Sequence, residues 1–84
     1  MGNKKYSFKY YLNDPTFWLE INFKNVRVYN DGEIIDKINA INGVVRCSVY
    51  NAYKLDVFKA DLYTWDEIKD SIDELLISLG LEKV

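Results

Sequence analysis

Apolar residues recur at helical spacing in two stretches of this chain and alternate with polar residues in four others. The clearest stretch lies near the C-terminus. Trp65, Ile68, Ile72, Leu75, Leu76 and Leu79 fall on one side of a 3.6-residue repeat, with Asp66, Glu67, Lys69, Asp70, Asp73 and Glu74 between them. Thr64 and Glu67 have the spacing of a capping box, and Gly80 stands where a helix is closed by a residue of positive φ. A helix is predicted over 65–79. Ile34, Ile35, Ile38 and Ile41 form a second apolar stripe, with Asn30 and Glu33 in capping-box spacing before it and Asn42-Gly43 after it. That pattern predicts a helix over 31–41.

The alternating runs predict strands. Tyr6, Phe8, Tyr10 and Leu12 oppose Ser7, Lys9 and Tyr11, and Phe17, Leu19, Ile21 and Phe23 oppose Trp18, Glu20 and Asn22. Asn13-Asp14-Pro15-Thr16 between them reads as a turn, with Pro15 fixing φ. Lys24-Asn25 reads as a bulge or second turn, and Val26–Tyr29 is again rich in β-branched and aromatic residues. Between the helices, Val45, Cys47 and Val49 alternate with Val44, Arg46, Ser48 and Tyr50. After a turn at Asn51-Ala52, Leu55 and Val57 alternate with Lys54, Asp56 and Phe58. Leu81–Val84 suits a short last strand.

From residue 25 the order is therefore strand, helix, strand, strand, helix and short strand. This is the split βαβ plan of a ferredoxin-like α+β domain: an antiparallel βαββα(β) sheet with both helices on one face. Residues 1–24 form an N-terminal β-hairpin added to a 25–84 core, within a single 84-residue domain. The hairpin could extend the sheet edge or fold over the open face.

Composition narrows the chemistry. A 49% apolar and 29% charged chain has the balance of a globular domain. With a net charge of −2, it lacks the excess of Lys and Arg that a dedicated nucleic-acid binder or an anionic-membrane binder needs. One cysteine and no histidine remove intrachain disulfides, Cys–His and Ser–His catalysis and most transition-metal sites. Neither a signal peptide nor a run long enough to span a membrane is evident, so a cytoplasmic protein without cofactor is expected. Frequent Asn, Ile, Lys and Tyr suit AT-rich coding, as in a low-GC bacterium or its phage.

Two resemblances start at Asp31. Ile34, Ile38, Ile41-Asn42-Gly43-Val44, Val49, Leu55, Val57, Ile68, Ile72 and Gly80-Leu81 are similar in spacing to the heavy-metal-associated domain of copper chaperones and metal-transporting ATPases. That family binds soft metal through a Cys-x-x-Cys at the start of its first helix, where this chain has Asp31 and Ile34. Ile41-Asn42-Gly43-Val44 through Lys59, then Trp65, Ile68-Lys69, Ile72 and Ile77, resemble the N-terminal domain of Nfu-type iron–sulfur scaffold proteins. Both resemblances imply the ferredoxin-like fold. The second also implies an accessory role in iron–sulfur or metal handling.

Candidate sites follow from the same pattern. Cys47, in mid-strand, is read as a small buried hydrophobe. Asp66, Asp70, Asp73 and Glu74 give one helix an acidic face able to steer a basic partner. Seven of the thirteen aromatic residues lie within the first 23 positions, and Tyr11 and Trp18 fall on the hairpin face opposite the core-like one. Tyr29, Tyr50 and Phe58 fall on the helix-free side of the sheet. These rings either form a second layer over the sheet or dock a protein. The expected function is a non-enzymatic protein-binding module, such as a phage or mobile-element inhibitor of a host protein, or a homodimer closing its own open face. The alternative is the iron–sulfur or metal accessory role; RNA binding on the open sheet face is third.

Overall fold

The computed structural model describes residues 3–10 and 18–84. Five strands and two helices lie within them: β1 (Lys5–Tyr10), β2 (Trp18–Lys24), α1 (Gly32–Asn39), β3 (Val44–Asn51), β4 (Lys54–Lys59), α2 (Trp65–Ser78) and β5 (Glu82–Lys83). The expected turn at 13–16 lies outside the described residues.

The sheet corrects the ferredoxin-like expectation. Its strand order is β3-β4-β2-β1-β5. It is mixed, with β1 parallel to β5 and the pairs β1/β2, β2/β4 and β3/β4 antiparallel. The hairpin is not an appendage: β1 lies inside the sheet, between β2 and β5. The segment read as the first core strand is not a strand. Val28–Asn30 form a 3-10 turn, and Val26 and Val28 use their β-branched side chains to fill the core, at 8% and 0% exposure. The Val28 amide donates to the Ala52 carbonyl at 2.8 Å, which ties this turn to the β3–β4 connection.

The core-facing set follows the alternation. Register places Tyr6 opposite Phe23 and Phe8 opposite Ile21 across β1/β2, and Leu19 opposite Val57 and Ile21 opposite Leu55 across β2/β4. These groups meet Ile34 and Ile38 of α1 and Ile68, Ile72 and Leu76 of α2 in one cluster. The opposite side of the sheet carries the intervening residues.

Helix ends follow their capping chemistry. The Asp31 carboxylate accepts from the Ile34 amide at 3.1 Å, so Asp31 caps α1. Glu33 instead pairs with Lys37 one turn on. Thr64 Oγ1 accepts from the Glu67 amide at 3.2 Å and starts α2. Gly80, at φ +91°, ends it: the Gly80 amide reaches the Ile77 carbonyl and the Leu81 amide the Leu76 carbonyl, a Schellman closure with Leu81 buried against the core. Gly43 is required twice over. Its φ is +92°, and a Cβ there would meet the Tyr63 ring at 2.5 Å.

Strand β3 departs from simple alternation. Val44 pairs with Lys59 and Arg46 with Phe58, leaving Val45 as an extra residue; Tyr50 is extra in the same way between Val49 and Asn51. A one-residue bulge reverses the inside–outside order. Val44 therefore packs against the core while Val45 is 67% exposed. Cys47 is buried, as its position in the alternation suggested.

Candidate functional site

Two surfaces gather chemically distinctive groups. The first is the helix-free face of the sheet, where cross-strand register sets the side chains in rows. One row runs Arg46, Phe58, Trp18. The Arg46 guanidinium lies 4.7 Å from the Phe58 ring centroid, and the Phe58 and Trp18 rings are 6.2 Å apart. Trp18 and Phe58 are both half-buried in this stack.

The next row runs Ser48, Asp56, Glu20, Lys9. Two carboxyl groups thus stand directly opposite each other, an arrangement that destabilises a sheet when both are ionised. Glu20 is 2% exposed, and Lys54 reaches it at 4.0 Å, the outer limit of an ion pair. Asp56 Oδ1 is buried and has no hydrogen-bond partner among the described residues. Burial raises the Asp56 carboxyl pKa, the neighbouring Glu20 charge raises it further, and Lys54 pulls the other way. The proton is thus held more firmly on Asp56 than on an ordinary surface aspartate, while Glu20 has Lys54 and Lys9 as its neighbours.

The second surface lies at the end of the sheet where the Val28–Asn30 turn meets the β3–β4 connection. Tyr29 and Tyr50 are each 63% exposed, Tyr53 is 46% exposed, and Val49 is also exposed. The link from Val28 to Ala52 sets Tyr29 beside this connection, and the Phe23 amide holds the Tyr53 carbonyl at 2.8 Å. Next to Tyr53 opens a cleft of about 470 Å³ lined by Phe23, Lys24, Asn25, Val26, Arg27 and Tyr53. Asn25 adopts φ +66°, and its side-chain amide donates to the Asn3 carbonyl at 2.8 Å.

The residues singled out from the sequence divide among three places. Tyr29 and Tyr50 come together at the tyrosine-lined end; Trp18 and Phe58 come together in the Arg46 stack; Tyr11 lies outside the described residues. On α2, Asp66, Asp70 and Glu74 are exposed, and none of them enters an ion pair among the described residues. Asp73 is different. It accepts from the buried Tyr6 hydroxyl at 2.7 Å and from Lys83 Nζ at 2.9 Å, so it ties α2 to β1 and β5. Sequence reasoning missed Tyr53, Lys24 and Arg27. The turn signals at Lys24-Asn25 and Asn51-Ala52 marked where they lie, but not that the two turns adjoin.

The Cys47 thiol is pushed up to about 12, first by burial and then by the Asp56 charge, so it is a poor nucleophile at neutral pH. Among the described residues no three His, Cys, Asp or Glu side chains are grouped to hold a metal ion, and no helix is long and apolar enough to cross a membrane. Comparison with protein families, curated proteins and solved structures finds no match to this chain.

Proposed function

We propose that this chain is a non-enzymatic protein-binding module that engages its partner through the tyrosine-lined end of the sheet. The observation carrying the reading is that three exposed tyrosines lie at one end of the sheet: Tyr29 and Tyr53 on two turns that are hydrogen-bonded to each other, and Tyr50 on the bulge that ends β3. Tyrosine combines a large apolar body with a polar tip and few rotatable bonds, so it gives much contact area for little lost freedom; it is enriched among binding hot spots. The two turns rest on the core through Val26, Val28 and Phe23, which hold the rings on a firm base. The module acts by occupying a surface of its partner, as an inhibitor or adaptor does.

The test is the double variant Tyr29→Ser, Tyr50→Ser. Both side chains are exposed, so the variant is expected to keep its circular dichroism and its melting temperature within a few degrees. It is expected to lose at least roughly tenfold in affinity for a partner captured from the source cell by the wild-type chain. Unchanged affinity would remove the reading. A second copy of the chain as the captured species would make the module a homodimer.

A further inference from the structure

We infer that the segment of the partner bound at this end is acidic, with an apolar side chain entering the cleft beside Tyr53 and carboxylates meeting Lys5, Lys24 and Arg27. This rests on the protein-binding reading above and specifies the chemistry of what is bound.

The argument begins with Lys5 and Lys24, which face each other across β1/β2. Like charges in directly opposed positions destabilise an antiparallel pair. Arg27 lines the cleft together with Lys24. The chain has 13 acidic residues for 11 basic ones, yet none of these three cations enters an ion pair or hydrogen bond among the described residues. The acidic group in register with Lys5 on its other side, Glu82, takes the Asn3 side-chain amide at 2.8 Å. The acids of α2 do not line the cleft. Lys5 thus has Glu82 on one side and Lys24 on the other, and at the cleft itself Lys24 and Arg27 present positive charge that a bound anion would meet.

The cleft adds selectivity. Phe23, Val26 and Tyr53 give it apolar walls, and about 470 Å³ is room for a large side chain. Asn25 holds the loop in a left-handed turn through its bond to the Asn3 carbonyl, so the loop is shaped before anything binds and less ordering is needed on association. A bare phosphate would use the cations and leave these walls empty. An acidic peptide with an apolar anchor uses both, which is why the geometry favours it.

The probe is a blocked synthetic peptide of alternating glutamate and leucine, titrated into the full chain with melting temperature and backbone amide shifts as readouts. Inorganic phosphate and a single-stranded oligonucleotide serve as comparison arms at matched ionic strength. The peptide is expected to raise the melting temperature and to shift the amides of Lys24, Asn25, Arg27 and Tyr53, with an effect that weakens as salt rises. The variant Lys24→Gln, Arg27→Gln is expected to melt roughly 2–5 °C higher on its own, because the opposed charges are gone, and to bind the peptide at least roughly tenfold more weakly. Equal peptide binding by wild type and variant would overturn the inference, as would the absence of amide shifts in the 24–27 loop. Phosphate or the oligonucleotide binding as tightly as the peptide would also overturn it. None of these results touches the Tyr29/Tyr50 reading, which is decided by the natural partner.

Discussion

Asp56 and Glu20 are the residues whose environment departs furthest from that of ordinary surface carboxylates. The folded chain holds the Asp56 proton more tightly than the unfolded chain does, because its carboxyl is buried and faces Glu20. The stability this contributes is full below the ordinary aspartate value of 3.8 and is lost as pH rises through the raised folded value. Asp56→Asn removes the titration and the charge that faces Glu20 while keeping the size and shape of the side chain. The variant is expected to be more stable than wild type near neutral pH, by about 1 kcal/mol, with the difference shrinking as pH falls towards 4. Urea melts of both proteins across that range are the check; parallel pH profiles would show that Asp56 does not hold the proton. Cys47 makes a second residue-scale case. With its thiol buried and pushed up to about 12, labelling by iodoacetamide at pH 8 is expected to be slow in the folded protein and fast in urea.

At the scale of elements, β3 is an edge strand with several devices that blunt it. Bulges at Val45 and Tyr50 interrupt its register, and between them the side chain of Asn39 takes the outward-pointing backbone of Cys47. The Cys47 amide donates to Asn39 Oδ1 at 2.8 Å, and Asn39 Nδ2 donates to the Cys47 carbonyl at 3.4 Å. An asparagine at the end of α1 thus stands where a neighbouring strand would pair. Asn39→Ala is expected to cost about 1 kcal/mol and to make the chain associate at concentrations where wild type keeps its mass, as read by analytical ultracentrifugation. A folded Asn39→Ala protein with unchanged mass would show that the bulges alone protect the edge.

The elements were readable from sequence to different depths. Both helices were legible because their caps and apolar stripes are local signals, and the same holds for the two hairpins. Val26–Tyr29 misled because β-branched residues suit a strand and a buried turn equally, and only tertiary packing chooses between them. The bulge at Val45 was illegible: Val44 and Val45 are the same residue type, and the register of β4 decides which of them turns inward.

For the whole molecule, the sheet order was the main thing the pattern could not supply. Alternation says which side chains share a face, but not which strand lies beside which. The insertion of β1 between β2 and β5 depends on Tyr6 pairing with Phe23 and with Lys83, contacts far apart in the chain. The same arrangement redistributes charge. A chain of net −2 places Asp66, Asp70 and Glu74 on α2 and Lys5, Lys24 and Arg27 at one end of the sheet, none of them in an ion pair among the described residues. The acidic helix face was visible in the sequence; the cationic end was not, because its members come from β1, β2 and a turn.

Hydrogen exchange of the wild-type chain, free and bound to its captured partner, decides whether the tyrosine-lined end of the sheet is the binding surface. Protection on binding is expected in the 24–30 segment and across Tyr50–Tyr53, with α2 unchanged. Protection confined to α2, or to the strands carrying Trp18 and Phe58 while the 24–30 segment exchanges as before, would contradict that reading.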